Sequence, residues 1–248
     1  MIKAIQLHKV LRYGVSLFLC FILLSRCGNT ISNQEQLNYS VENPEDDFKR
    51  LLLTNNLKEG EYQVFFQVFK LEEILEVWVG KPESEFTLLS TYPFCANSGV
   101  LGPKRKEGDR QIPEGVYSID RYNPQSRFHL SLGINYPNSV DLIHAIKNKP
   151  GSNIFIHGGC ASIGCISITD QSIDQVYRLA ERSAAPLAIE AHFFPFKFDK
   201  VNLQEELENQ NGNTQKLWES LEPIFYAFEQ TKRVPKVQLK NGLYLLVN

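Results

Sequence analysis

The sequence predicts a β-rich mixed α/β domain, in which a sheet carries inserted helices and the chain ends in a helix plus a hairpin. Two observations predict this class. Short runs of β-branched and aromatic residues, separated by turn residues, recur between residues 62 and 134 and between residues 153 and 193. Apolar residues at helical spacing follow Pro44, follow Asp170 and recur again from Leu217. Strands and helices therefore alternate along the chain.

Composition limits the classes of function. The 248 residues are 43% hydrophobic and 22% charged, as in a globular protein rather than a disordered, collagen-like or multi-span membrane chain. Lys and Arg number 26 against 28 Asp and Glu, a net charge of −2. That balance supplies no overall field for nucleic acid or anionic lipid, so function should lie in a local site. A chain of this length needs no disulfide framework to build a core, so its five cysteines need another explanation.

The N-terminal residues predict export. Residues 1–27 have the pattern of a signal peptide or a lipoprotein-type signal, with basic residues before an apolar run from Val15 to Leu24. A run of ten residues is short for a membrane span, which takes about 20. Cys27 resembles a lipidated cysteine, although Arg26 stands where a small residue is usual. Lipidation, an uncleaved anchor and ordinary cleavage all stay open.

A tether and a folded domain are expected after the signal. Residues 28–43 are polar and predict a flexible tether, and residues 44–248 predict the folded domain. We expect a periplasmic or cell-envelope protein that meets the membrane only through its N-terminal segment.

The first predicted element is a helix that begins at Pro44. Pro44 is followed by three acidic residues, which favour the positive end of a helix dipole. Four apolar residues supply its expected buried face: Phe48, Leu51, Leu52 and Leu53.

Strands then dominate, with helices inserted among them. The predicted strands span residues 64–69, 74–79, 86–89, 116–120, 128–134, 153–157 and 187–193. Residues 95–115 are rich in Gly and Pro and predict a long ordered loop instead. A crossing helix begins at Asp170, which we expect to cap it. The tail predicts a helix around Leu217 and Phe228, then a hairpin turning at Asn241-Gly242.

The densest cluster of reactive side chains follows the predicted strand that ends at His157. The pair Gly158-Gly159 turns the chain, and Cys165 follows eight residues after the histidine. An imidazole beside a thiol can take its proton and leave a thiolate that attacks a carbonyl carbon. We therefore expect Cys165 as nucleophile and His157 as base. Backbone N–H groups near Gly164 would stabilise the oxyanion, and Ser162 would orient His157.

Other interpretations of the cluster stay open. Cys160 and Cys165 could form a short disulfide bond in an oxidising compartment, or could simply be buried. His157 and the two cysteines, with His144 or His129, are metal-ligand types but lack the spacing of known zinc motifs.

Cys95 lies outside this cluster. It follows the apolar stretch Tyr92-Pro93-Phe94, and we expect it to pack beside the site rather than react.

At this point the sequence resembles a known family. His157-Gly-x-Cys160-x-Ser162-x-Gly164-Cys165, followed by Thr169-Asp170, resembles the signature of the L,D-transpeptidase catalytic domain family (YkuD-like), and in particular its murein L,D-transpeptidase, YafK-like branch. Further segments are similar to that branch: Ser98-Gly99-x-Leu101-Gly102-Pro103-Lys104, Gly108-Asp109-x-Gln111-x-Pro113-Glu114-Gly115-x-Tyr117, Tyr136-Pro137-Asn138 and the helix from Trp218 to Glu229. The resemblance covers the chain from about residue 50 to its end.

The resemblance implies a cysteine acyltransferase of the bacterial cell envelope, with an L,D-transpeptidase-like β-sandwich or sheet. Matched residue by residue, it makes Cys165 the nucleophile and His157 the general base. The wider family often has a second histidine directly before Gly-Cys and an Asn or Arg two residues after the cysteine. Here Ile163 and Ser167 hold those positions, so neither role carries over. Nothing in the sequence argues for a cofactor, and we expect no metal.

The expected reaction is a two-step acyl transfer on peptidoglycan stem peptides. The Cys165 thiolate attacks the carbonyl of the L-centre of diaminopimelate, D-Ala leaves, and an amine or water resolves the thioester. We expect five residues to bind the substrate: Lys104, Arg105, Arg110, Gly158 and Gly159. For the three cations, a merely solvated loop face is the alternative. Lys104 is the best of these three, because it lies within a family-like segment.

Two further functions stay open. A hydrolase or amidase of the same family would cleave at diaminopimelate, trimming stems or detaching an envelope protein attached to peptidoglycan. A non-catalytic envelope-binding module with disulfide-bonded cysteines is the third hypothesis. The sequence alone does not separate them.

Overall fold

One eight-stranded mixed sheet organises the computed structural model, which describes residues 43–187 and 189–247. The predicted signal and most of the predicted tether, with Cys20 and Cys27, lie outside the described residues. In chain order the strands are β1 (Gln63–Phe69), β2 (Ile74–Gly80), β3 (Thr87–Pro93), β4 (Gly115–Ser126), β5 (His129–Ile134), β6 (Phe155–His157), β7 (Ile166–Ser167) and β8 (Glu190–Phe194). Across the sheet the order is β3-β2-β1-β8-β4-β5-β6-β7.

Helices and a separate hairpin complete the chain. The helices are α1 (Pro44–Thr54), α2 (Ser139–His144), α3 (Asp170–Glu181), α4 (Leu203–Glu208) and α5 (Gly212–Thr231), with a 3₁₀ turn at Ile146–Asn148. The hairpin consists of β9 (Val237–Lys240) and β10 (Leu243–Leu246). Among the residues described, no helix has the length and apolarity of a membrane span.

The sheet is covered on both faces, which explains why consecutive residues of β1 and β2 are buried. In β1, Val64, Phe66 and Val68 join the core that includes buried residues of α1 and α3. Phe65 and Phe69 face the other way, and their rings contact Phe228 and Phe225 of α5 at centroid distances of 4.8 and 6.1 Å. The predicted β-rich mixed α/β class, with a C-terminal helix plus a hairpin, is confirmed.

The long strand β4 joins the two halves of the sheet. Its residues 115–118 pair with β8, and its residues 119–126 pair with β5. From β5 the ladder continues to β6 and then to β7, which pairs with β6 in parallel. The strand that ends at His157 and the strand that begins after Cys165 are therefore neighbours at one edge of the sheet.

One packing expectation for α1 is wrong. Phe48 and Leu52 are buried, but Leu53 is 78% exposed. One residue turns the helix by about 100°, so the position after Leu52 leaves the buried face. Asn43 caps this helix, since its side chain accepts a hydrogen bond from the Glu45 N–H.

Candidate active site

His157 ends β6 as a buried side chain with a defined hydrogen bond. It is 2% exposed, and its Nδ1 lies 2.5 Å from the carbonyl oxygen of Gly158. A carbonyl only accepts, so Nδ1 carries the proton and Nε2 of the neutral ring is the free acceptor. Burial lowers the pKa of His157, with the Gly158 hydrogen bond acting in the opposite direction. The side chain is thus prepared to take a proton at Nε2.

Cys165 lies directly before β7 and is the free cysteine of the described residues. The β6–β7 register pairs Ile156 with Ile166, which places Cys165 beside Phe155 in the neighbouring strand. Its Sγ lies 3.8 Å from the carbonyl oxygen of Asn153. Within residues 43–187 and 189–247 the thiol makes no hydrogen bond to His157. Cys165 therefore lies level with the start of β6 and His157 lies two residues further along that strand, with the proton still on sulfur.

Burial also sets the ionisation of the thiol. It raises the pKa of Cys165, while a backbone hydrogen bond from Phe155 and the charge of Lys104 act to lower it. The thiol and the imidazole are therefore both neutral at rest.

Ser162 holds the cysteine loop, which we define as residues 158–165. Its hydroxyl donates to the carbonyl of Cys165 at 2.7 Å, and its oxygen lies 3.1 Å from the Ser98 hydroxyl. The N–H of Gly164 donates to the same oxygen at 3.3 Å. The expectation that Ser162 orients His157 is corrected, because this hydroxyl is engaged within its own loop. The carbonyl of Gly158 orients the imidazole instead.

A disulfide bond joins Cys95 to Cys160 across 65 residues of chain. This rules out the Cys160–Cys165 disulfide that the sequence left open, and it corrects the expectation for Cys95, which is bonded rather than merely packed. Two hydrogen bonds reinforce the junction: the Cys95 N–H donates to the Ser167 carbonyl, and the Ser167 hydroxyl donates to the Ala96 carbonyl. The cysteine loop is thereby fixed to the start of the glycine-rich loop, which we define as residues 94–114.

The glycine pair that follows His157 fits a confined turn. The N–H of Gly159, which has a φ of +69°, donates to Asp170 Oδ1 at 2.7 Å. A Cβ on Gly158 would lie 2.5 Å from the same oxygen. Asp170 is therefore not the cap of α3; the Thr169 side chain caps it, accepting from the Ser172 N–H. Asp170 instead ties the turn to the helix.

The three basic residues predicted to bind substrate have different environments. Lys104 is buried, and its Nζ lies 2.6 Å from Asp109 Oδ1. Arg105 is half-buried, and its two terminal nitrogens are buried without a hydrogen-bond partner in the described part of the chain. Arg110 is exposed. The accessible cation of the three is Arg110 rather than Lys104, because Asp109 draws the Lys104 amine beneath the loop.

The glycine-rich loop touches the cysteine loop next to the thiol. Gly164 has a φ of +124°, and a Cβ there would lie 2.9 Å from the carbonyl oxygen of Gln111. Both facts require glycine at this position. Arg110, one residue before Gln111, is therefore carried by backbone that lies against the residue preceding Cys165.

A buried polar group supports the glycine-rich loop from below. We call Lys70, Glu114 and Trp218 the loop scaffold. Lys70 Nζ donates to Glu114 Oε1 at 2.8 Å and to the carbonyls of Gly102 and Ile112 at 2.7 and 3.0 Å. Trp218 Nε1 donates to Glu114 Oε2 at 2.7 Å.

Sequence reasoning did not assign the loop scaffold a role. Glu114 and Trp218 did lie within family-like segments, so a signal existed for those two residues. Lys70 had no signal, because nothing in the sequence around the end of β1 shows that this amine donates to the Ile112 carbonyl, 42 residues later.

At the two positions where the wider family often has other residues, this chain has side chains to which no role was carried over. Ile163 is 77% exposed, whereas Ser167 is buried in the hydrogen bond to Ala96. Over residues 43–187 and 189–247, no group of three or more His, Cys, Asp and Glu side chains is arranged to hold a metal ion.

Comparison with known proteins identifies the family of this chain. Residues 68–190 match the family described as "YkuD: L,D-transpeptidase catalytic domain". The chain is 34% identical to "Putative L,D-transpeptidase YafK" of Escherichia coli (strain K12) over 187 residues, which cover 74% of this chain and 73% of that one. The helical cell shape determining protein Pgp2 from Campylobacter jejuni is 15% identical, with a TM-score of 0.44 over 80% of this chain and 81% of that one. The chain belongs to the L,D-transpeptidase catalytic domain family.

Proposed function

We propose that this chain is a cysteine-dependent acyltransferase on peptidoglycan stem peptides, in which Cys165 forms the thioester and His157 is the general base. One observation carries the proposal. The free thiol of the described residues lies beside the strand whose end holds a buried imidazole, and the Nδ1 of that imidazole is already bonded to a carbonyl. The other two cysteines of the described residues are bonded to each other.

The pKa directions favour one course for the first step. A raised thiol pKa and a lowered imidazole pKa both disfavour a preformed thiolate–imidazolium pair. The proton therefore passes from Sγ to Nε2 as sulfur attacks the acyl carbon. The imidazolium then protonates the departing D-Ala amine as its C–N bond breaks. In the second step, the amine of another stem loses a proton to Nε2 and attacks the thioester, the C–S bond breaks, and the imidazolium returns the proton to sulfur to restore the thiol.

Substrate binding is proposed for one cation above the others. Arg110 is exposed and adjoins the backbone against Gly164, so its guanidinium can pair with a stem carboxylate near the thiol. Lys104 contributes its positive charge from beneath, since it favours the ionised form of Cys165. Gly158 and Gly159 form the turn at the base side of the site.

Export into the cell envelope belongs to the same proposal. Disulfide bonds persist in oxidising compartments and are rare in the cytosol of most organisms. The bond between Cys95 and Cys160 is consistent with such a compartment, where peptidoglycan is also found.

Defined muropeptides test the proposal. We expect the purified chain to convert disaccharide-tetrapeptides into cross-linked dimers with release of D-Ala, as read by mass spectrometry. Monomers shortened by hydrolysis would favour the hydrolase or amidase instead. A carbapenem should add its mass to the wild type and not to Cys165→Ala, because an acyl adduct needs the thiol.

Two histidine variants test whether His157 acts as the base. His157→Gln should lower turnover by roughly 10²–10⁴-fold, the range for loss of a general base. The matched control is His144→Gln in α2, whose Nε2 lies 2.9 Å from the Gly242 carbonyl oxygen. It should stay within about two-fold of the wild type. Unchanged turnover in Cys165→Ala would overturn the proposal.

A further inference from the structure

The ring of Phe128 lies over the imidazole of His157. The two ring centroids are 4.6 Å apart, and the ring planes meet at 29°, which is a stacked arrangement. Phe128 belongs to the turn between β4, which ends at Ser126, and β5, which begins at His129. The side chain is 42% exposed, so one face of the ring covers the imidazole while part of it meets solvent.

The turn that carries Phe128 is fixed on both sides. Its N–H donates to the Ser126 hydroxyl at 3.1 Å, and the next residue, His129, has a φ of +68°. A Cβ on Gly158 would lie 3.0 Å from the Phe128 carbonyl oxygen, and one on Gly159 would lie 3.2 Å from its Cδ1. The glycine pair after His157 therefore leaves the space that this aromatic residue occupies.

We propose that Phe128 is a positioning residue for the general base. The stacked ring holds the imidazole plane in the orientation in which Nδ1–H meets the Gly158 carbonyl, and it keeps water from that face of the ring. Nε2 then stays the acceptor. The inference rests on the proposed function, because it assigns Phe128 a task in the same proton transfer.

Few charged groups compete for control of this imidazole. On α3, Asp170 bonds the Gly159 N–H, and Asp174 pairs with His129 of β5. Arg127, an exposed cation, precedes Phe128 in the same turn, and Cys165 lies directly before β7. The pKa of His157 is lowered mainly by burial, to which an aromatic ring stacked on the imidazole contributes.

Two substitutions test the role of the ring. Phe128→Leu keeps an apolar side chain and removes the stack, whereas Phe128→Tyr keeps it. We expect Phe128→Leu to lower kcat about ten-fold, as a small misplacement of a reacting group does, with KM within about two-fold. Phe128→Tyr should restore kcat to within about two-fold. The acid limb of the kcat/KM profile should move to higher pH in Phe128→Leu, toward the ordinary histidine value of about 6.5.

A second measurement needs no turnover. In the NMR titration of the full chain, with the His157 signal assigned by its absence in His157→Gln, Phe128→Leu should raise the pKa of His157 and Phe128→Tyr should not. If the wild type lacks acyl transfer but this shift occurs, the proposed function fails and the positioning role stands. An unchanged His157 titration, or a raised KM with constant kcat, overturns the inference. Should Phe128→Leu fail to fold, Phe128→Met makes the same comparison.

Discussion

The loop scaffold and the Cys165–His157 site differ in how fully their polar groups are hydrogen-bonded. The Lys70 amine donates hydrogen bonds to three acceptors, and both oxygens of Glu114 accept hydrogen bonds. Cys165, in contrast, has a long contact to one carbonyl, and the Nε2 of His157 has no hydrogen-bond partner among the residues described. Both regions are largely buried, so the difference is not one of solvent access.

The difference distinguishes buried groups that stabilise the fold from buried groups that remain available to a ligand. A buried charge without partners costs several kcal/mol, so the scaffold is stable only when it is fully bonded. A thiol and an imidazole can remain neutral when buried. They can therefore keep hydrogen-bonding groups that are unpaired and available to a ligand. Mutations in the scaffold should accordingly change stability, and mutations at the site should change chemistry.

The largest expected effect lies in the scaffold. Glu114→Ala leaves the Lys70 amine buried without its carboxylate and removes the acceptor of Trp218. We expect the free energy of unfolding to fall by about 3–5 kcal/mol, measured by urea denaturation. The control is Glu219→Ala, an exposed carboxylate next to Trp218, which should change it by about 0.5 kcal/mol or less. Equal stability of the two variants would contradict the comparison.

The disulfide bond is the next test, because it links the cysteine loop to the glycine-rich loop. The double variant Cys95→Ala/Cys160→Ala removes the cross-link between two residues that lie 65 positions apart. We expect a loss of about 2–4 kcal/mol in the free energy of unfolding. Cys165→Ala, which removes an unbonded thiol, should cost about 1 kcal/mol or less. If the double variant is as stable as Cys165→Ala, the bond does not brace the site.

Much of this fold follows from local sequence. The apolar-rich sequences of β1 and β2 and the spacing of apolar residues within α3 and α5 are strong signals, since each extends over seven or more residues. α2 and β7 were not predicted: they have six and two residues, too few for a period to show. β7 forms only because β6 provides a partner from elsewhere in the chain.

The candidate site divides in the same way. Cys165 and His157 stand close together in the sequence, within one recognisable motif. Pairing of Cys95 with Cys160, the stack of Phe128 on His157 and the burial of Lys104 all depend on contacts between distant segments. A local motif predicts the proposed reacting groups, whereas the residues proposed to orient them become visible only in the folded chain.

The smallest expected effect concerns Arg110, which adjoins both regions. If it binds a stem carboxylate, Arg110→Ala should raise KM about five-fold, equivalent to the roughly 1 kcal/mol of an exposed ion pair, and should leave kcat unchanged. Steady-state kinetics at two salt concentrations measure this, and added salt should shrink the difference. Lys106→Ala, an exposed cation in the same loop, is the matched control and should keep the wild-type KM. An equal rise in both variants would indicate general charge attraction by the loop, rather than a contact at the residue whose backbone adjoins Gly164.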